Sequence, residues 1–263
     1  MLSWSTIIAS GLAISGAQAT PVEVPRQATP TVYLAGDSTM AKTGNGLMGW
    51  GEYLSTYITL PVVNKAISGR SARSYTNEGR FAEIESLVQR DDIVVIEFGH
   101  NDGGSPNSAN DNGRSDCPGT GDEVCYSGKT GEVVYTFNKY VQDAARSFIA
   151  KGARVIISSQ TPNNMWEGGS YNDSPSRFVA YAAVAAQNVG NGASYVDHFA
   201  AVGALYKRLG NEATNALYPQ DHTHTSPEGA DLVAQAFVQA VNIELNGPTP
   251  LKDYLKQPVP EVF

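Results

Sequence analysis

The stretch "TVYLAGDSTM", Thr31 to Met40, is apolar from Val32 to Ala35 and then turns polar at Gly36-Asp37-Ser38. A run without a polar position offers no solvent face, so as a strand it belongs in a sheet covered on both sides. Runs rich in β-branched residues return at "VVNKAI" (Val62 to Ile67), "IVVIEFG" (Ile93 to Gly99), "RVIISSQ" (Arg154 to Gln160) and "SYVDHF" (Ser194 to Phe199), where His198 is expected to end the strand. Helical patterns fall between and after them, over 50–58, 81–90, 134–151, 175–188, 199–209 and 227–245. The last opens with Ser226 as N-cap and Pro227 at the first helical position. Strand and helix in alternation imply parallel pairing with right-handed crossovers. The expected fold is a three-layer α/β domain, with a five-stranded parallel sheet and helices on both faces.

The formal net charge of −8 argues against nucleic acid and anionic membrane surfaces as partners. Residues 1–19 carry an apolar core, Ile7 to Ile14, and end in Ala17-Gln18-Ala19, the pattern of a cleaved signal peptide. That core is well short of the roughly 20 residues that span a bilayer. Residues 20–30, with three prolines and no periodicity, read as a leader or short pro-segment, 31–245 as one sizeable α/β domain and 246–263 as a C-terminal tail. A secreted, extracellular chain is expected. In that setting Cys117 and Cys125, the two cysteines, can form a disulfide.

In open parallel sheets, ligands bind beyond the carboxyl ends of the strands. The loops there hold Ser38 after the first strand, Gly69 after the second and Asn101 after the third. A serine hydroxyl becomes a nucleophile when a base takes its proton and a third group orients the base. The segment "PQDHTHTSPEG" (Pro219 to Gly229), just before the last helix, supplies that pair as Asp221 and His224. Backbone N–H groups of Ser38 and Gly69 with the Asn101 side chain would make an oxyanion hole, the glycine allowing close approach. Taken singly, each residue has a plain reading: Ser38 as a helix N-cap, Asn101-Asp102 as an Asx-turn and Gly69 as a turn glycine.

Four blocks in this order, Gly-Asp-Ser, a glycine after the second strand, Gly-x-Asn-Asp and Asp-x-x-His, resemble the SGNH (GDSL-type) hydrolases. The blocks "YLAGDSTMA", "GWGEYL", "GRSARSYTNEGRF", "VIEFGHNDGGS", "DEVCYS", "SSQTPNN", "YVDHF" and "DHTHTSPEGA" are similar to the fungal rhamnogalacturonan acetylesterases, over about Thr31 to Glu244. The resemblance implies a flavodoxin-like fold and a secreted, serine-dependent esterase acting on acetylated pectic polysaccharide, without cofactor or metal and expected to be a monomer. Ser38 would be the nucleophile, His224 the base and Asp221 its partner, with Ser38, Gly69 and Asn101 as the oxyanion hole. Family members with a second cysteine pair near the C-terminus differ from this chain, so its tail is expected to be looser.

Other readings compete. "HTH" (His222 to His224) has a chelating spacing, but no further His- or Cys-rich segment offers a third protein ligand. "SGKT" (Ser127 to Thr130) has Glu123 where a phosphate loop requires glycine, and Met40 stands where the Gly-x-Ser-x-Gly elbow ends in glycine. An acetylated xylan or a short-chain ester is an alternative substrate, and a carbohydrate-binding protein without catalysis is an alternative class. Arg70, Arg73 and Arg80 are candidate contacts for uronate carboxylates, or else partners of Glu78 and Glu83. Trp166 and Tyr171 are a candidate stacking platform for sugar rings, or else anchors of a long loop. His100 is expected to buttress the Asn101 loop, and His222 to play a supporting role.

Overall fold

A strand that is apolar on both sides is stable only when helices cover both faces, and this constraint organises the molecule. The computed structural model describes residues 29–263; the signal peptide and most of the leader expected from the sequence lie outside the described residues. Along the chain come β1 (Val32–Gly36), β2 (Val62–Asn64), β3 (Ile93–Glu97), β4 (Val124–Tyr126), β5 (Val133–Tyr135), β6 (Arg154–Ser158) and β7 (Ala193–Val196). Strands β4 and β5 form an antiparallel hairpin outside the main sheet. The other five pair in parallel in the order β2-β1-β3-β6-β7. The order reverses direction between β1 and β3, and such a switch point opens a crevice at the carboxyl ends of the strands.

The helices are α1 (Leu54–Tyr57), α2 (Ala72–Asn77), α3 (Arg80–Leu87), α4 (Phe137–Ala150), α5 (Arg177–Val189), α6 (His198–Ala216) and α7 (Pro227–Asn242). Period-two alternation divides the sheet's side chains between two cores. Val32, Leu34, Ile93, Val95, Ile156 and Val196 pack with residues of α1, α6 and α7. Tyr33, Ala35, Val94, Ile96, Val155 and Ile157 pack with residues of α2, α3, α4 and α5. This is the three-layer α/β arrangement expected.

Several elements differ from the sequence reading. The segment 50–58 is a 3₁₀ turn, Trp50–Glu52, followed by the single turn of α1. Residues 133–135 belong to the hairpin, and α4 starts only after Thr136, whose hydroxyl accepts the Lys139 N–H. Helix α2 is six residues of mostly polar sequence held by a Ser71–Ser74 capping box, too short to show a helical period. Helix α6 runs on to Ala216, past a kink at Gly210 with φ 77°. At α7, Ser226 caps the helix by accepting the Gly229 N–H, and Pro227 is the first helical residue, as the sequence suggested.

His198 opens α6 instead of ending β7, because Asp197 caps that helix by accepting the Ala200 N–H. Its ring is fully buried, with Nδ1 2.8 Å from Glu97 Oε2 and Nε2 3.1 Å from the Val233 carbonyl. Glu97, itself buried on β3, also accepts from Trp50 Nε1 at 2.8 Å and from the Ser158 hydroxyl at 2.6 Å. Both ring nitrogens therefore meet oxygen acceptors, one on β3 and one on α7.

The C-terminal tail is not loose. Leu251 and Leu255 are buried, and Val259, Val262 and Phe263 pack against the α1/α6/α7 core. The Gln239 side chain accepts the N–H groups of Val262 (2.6 Å) and Phe263 (3.1 Å) and donates to the Phe263 carbonyl (2.8 Å). Hydrogen bonds and apolar contacts hold the tail where other family members were expected to use a disulfide.

Removing one partner of a buried, hydrogen-bonded pair strands the other. His198→Leu should therefore lower the unfolding free energy by about 3–5 kcal/mol, read from urea denaturation with an unchanged slope. A loss below about 1 kcal/mol would show that Glu97 is satisfied without it.

Candidate active site

The turn that follows β1 is built by Asp37. Its Oδ1 accepts both the N–H and the hydroxyl of Thr39 at 2.9 Å, and its carbonyl accepts the Ala41 N–H at 3.0 Å. No helix begins here, contrary to the expectation that Ser38 stands at a helix N-terminus; residues 38–40 form a turn. Gly36 permits it, since a Cβ there would lie 2.7 Å from Met40 Sδ and 2.9 Å from the Glu97 carbonyl.

From the opposite side, the loop between α6 and α7 brings up Asp221 and His224. Asp221 Oδ1 accepts the N–H groups of Thr223 (2.7 Å) and His224 (2.8 Å), folding the loop so that its other oxygen meets the ring. His224 Nδ1 lies 2.8 Å from Asp221 Oδ2 and Nε2 lies 2.8 Å from Ser38 Oγ. The loop is pinned from the β6 side by Thr223 Oγ1 donating to Asn163 Oδ1 (3.0 Å) and by the Asn164 N–H donating to the His222 carbonyl (2.7 Å). Burial pushes the Asp221 carboxyl up, but the bonds from the His224 ring and the two backbone N–H groups outweigh it and hold it at about 2. It is therefore an anion at any working pH and fixes a hydrogen on Nδ1, leaving the Nε2 lone pair for the Ser38 proton. His222 turns away, its Nδ1 3.3 Å from Glu167 Oε1.

Gly69, at φ 75°, occupies the left-handed region that a side chain would strain. Asn101 Nδ2 donates to the Arg70 carbonyl at 3.1 Å, with a second amide hydrogen remaining. The next residue, Asp102, is fully buried and accepts the Ala72 N–H at 2.7 Å, tying β3's loop to the first turn of α2. Asp102 Oδ2 and both carboxyl oxygens of Asp116 are sealed from solvent with no N–H or hydroxyl donor. A proton held between the two carboxyls would serve Asp102 Oδ2 and one of the two Asp116 oxygens. Burial pushes Asp102 up to about 7 and drives Asp116 upward too, the nearby Asp102 adding to the rise.

Ser38, His224 and Asp221 thus form one hydrogen-bonded chain, and Gly69 and Asn101 are linked to each other through Arg70 and Arg114 beyond the neighbouring strands. Arg73 is buried, its side chain 1 % exposed, and its guanidinium is bound by Asp111, Glu132 and the Ser115 carbonyl. It fastens α2 to the 111–132 segment and cannot reach a ligand. Arg80 pairs with Glu78 and Glu83. Arg70 pairs with Glu78 at 3.1 Å but is exposed, in a cavity of about 430 Å³ that begins at Gly69. Trp166 and Tyr171 turn their polar atoms inward, to the carbonyls of Tyr206 and Gly203 at 2.8 Å each, and so anchor the loop after β6. His100 contacts the Thr161 hydroxyl at 3.4 Å. Sequence reasoning missed Arg114, whose Nη1 is 3.3 Å from both Asn101 Oδ1 and the Gly69 carbonyl. Its surroundings, "DNGRSD", read as an ordinary polar loop.

Residues 32–237 match the model of the GDSL-like lipases and acylhydrolases. The chain belongs to the GDSL-like lipase/acylhydrolase family. Within it, the chain is 52% identical over 221 residues to the rhamnogalacturonan acetylesterase of Emericella nidulans, covering 83% of this chain and 87% of that one. A probable rhamnogalacturonan acetylesterase of Bacillus subtilis is 26% identical over 80% of this chain and 91% of its own length. The crystal structure of the Bacillus subtilis protein YxiM superposes with TM-score 0.65 at 24% identity and shows the shared fold; the match covers 82% of this chain and 57% of YxiM. Cys117 and Cys125 are disulfide-bonded.

The buried carboxyl pair sets the sign of one pH effect. Asp102 is raised to about 7 from 3.8, so between these values the folded chain holds a proton that the unfolded chain releases. Its stabilising contribution is complete below about pH 4 and is lost as pH rises through 7, at no more than about 1.4 kcal/mol per pH unit. Asp102→Asn, which keeps the acceptor for Ala72 and supplies a permanent donor to Asp116, should flatten the decline of urea-unfolding stability over this range. An unchanged slope would mean that no proton is shared there.

Proposed function

We propose that the chain is a secreted serine esterase that removes acetyl groups from acetylated rhamnogalacturonan. The observation that carries this reading is the continuous relay from Asp221 through His224 to Ser38, with both links at 2.8 Å. The likeness to the Emericella nidulans enzyme supports the substrate.

In this mechanism Ser38 Oγ attacks the acetyl carbonyl while His224 Nε2 takes the hydroxyl proton. The new alkoxide faces the N–H groups of Ser38 and Gly69 and the remaining amide hydrogen of Asn101, donors already in place before charge develops. Collapse breaks the bond to the sugar oxygen, which leaves with the proton from His224. Water, deprotonated by the same nitrogen, then attacks acetyl-Ser38 and releases acetate, restoring the serine. No group beyond the chain and water enters the balance.

Uronate carboxylates on the polymer need cations from an otherwise acidic protein. Arg70 suits this role, since its exposed pair with Glu78 is worth under about 1 kcal/mol and is easily exchanged. We read residues 31–245 as the hydrolase domain, with the tail packed on it, and the chain as a monomer. The Cys117–Cys125 bond supports an oxidising, extracellular setting.

The test is acetate release from acetylated rhamnogalacturonan, homogalacturonan and xylan by wild type and Ser38→Ala, with and without a chelator. Chelator-resistant release from rhamnogalacturonan, lost by about 10⁴-fold or more in Ser38→Ala at an unchanged melting temperature, is expected. Release from xylan alone would refute the substrate and keep the chemistry; retained activity in Ser38→Ala would refute both. Because Asp221 stays ionised down to about pH 2, it adds no proton of its own to the acid limb of kcat/KM, which should have the slope of a single proton. A limb steeper than one proton would contradict that expectation.

A further inference from the structure

We infer that Arg114 is a positioning residue of the oxyanion hole, acting through Asn101 and the Gly69 turn; this rests on the serine-esterase reading above. Three groups close a triangle. The guanidinium Nη1 of Arg114 donates to the Gly69 carbonyl and to Asn101 Oδ1, at 3.3 Å each. Asn101 Nδ2 in turn donates to the carbonyl of the next turn residue, Arg70, at 3.1 Å. Two consecutive carbonyls of the turn that presents the Gly69 N–H are thus held from the same side. Glycine has the least intrinsic preference for one backbone conformation, so such a turn gains the most from external restraint.

The contact also decides which way the Asn101 amide faces. A guanidinium is a donor only, so it holds the amide oxygen and directs the NH₂ group toward Arg70 and the reaction centre. A cation on the oxygen withdraws electron density through the amide and makes the remaining N–H a stronger donor as the alkoxide forms.

Arg114 is itself held. The loop that carries it is fixed by the Ser115 carbonyl accepting from Arg73 (2.8 Å), Ser115 Oγ donating to the Gly103 carbonyl (2.8 Å) and the Asp116 N–H donating to the Asp102 carbonyl (3.0 Å). The Cys117–Cys125 disulfide follows immediately. Among the described residues no carboxylate forms an ion pair with Arg114, so its charge is not spent on a neighbouring anion.

The experiment is a double-mutant cycle on a small neutral ester, 4-nitrophenyl acetate, with wild type, Arg114→Met, Asn101→Ala and the double variant, and Ser38→Ala as control. Arg114→Met should lower kcat by about tenfold or more, less than the 10²- to 10³-fold expected for Asn101→Ala, with KM within about twofold and an unchanged melting temperature. In the Asn101→Ala background the same change should cost less than it does in the wild type, because one of its two partners is gone while the Gly69 carbonyl remains. Losses that multiply fully, or a kcat within twofold of wild type, would overturn the inference. So would a defect confined to acetylated rhamnogalacturonan and expressed in KM, which would make Arg114 a contact for the polymer's carboxylates. If Ser38→Ala retained wild-type turnover, the serine mechanism and this inference would fall together, whereas an inactive Ser38→Ala beside an unimpaired Arg114→Met would sink this inference alone.

Discussion

The burial of Glu97 at the carboxyl end of the central strand is the constraint on which the rest depends. An acidic group taken out of water there must find donors, and it finds them on three separate parts of the chain: Trp50, Ser158 and His198. Each bond adds a directional side-chain tie to the element that carries the donor, and for Ser158 it extends the ladder that already pairs β6 with β3. The register of the sheet places Gly36 opposite Glu97, so the strand bearing the polar network and the strand leading to Ser38 end side by side. The tight turn at Asp37 is then the one route open to the chain, and the serine hydroxyl emerges above the sheet in reach of the loop that precedes α7.

How much of this can be read from sequence depends on whether the relevant physics is local. The five strands of the main sheet were legible because an apolar run carries its own evidence of burial on both faces. Ser38, Gly69, Asn101, Asp221 and His224 were legible because each follows a strand or precedes a helix, and the sheet brings all such loops to one edge. Arg73 was not, since a buried arginine paired with Asp111 and Glu132 looks the same in sequence as a solvated one. The tail was misjudged for a related reason: an absent cysteine pair is visible, whereas the hydrogen bonds from Gln239 that replace it are not. His198 was assigned to a strand because its neighbours are apolar; the cap at Asp197 turned the chain into a helix one residue earlier.

The connection from β3 to β6 is far longer than a crossover needs. Beyond its helix it contains a polar segment, the disulfide and the hairpin, none of which contributes a strand to the main sheet. Its fastenings are a buried arginine with two acidic partners, the Asp116 N–H donating to the Asp102 carbonyl, and a covalent bridge. Such investment is out of proportion to shielding a sheet edge. It is in proportion to holding Arg114 and Asp116 against the ends of β2 and β3, where small displacements change the direction of an N–H bond.

The relay residues sit at the rim, with the side chains of His224 and Asp221 30% and 43% exposed. Ser38 lies deeper, at 7% exposed, so the relay runs from solvent inward. On the proposed mechanism the base is open to bulk water throughout the cycle, so the water that ends it needs no channel of its own.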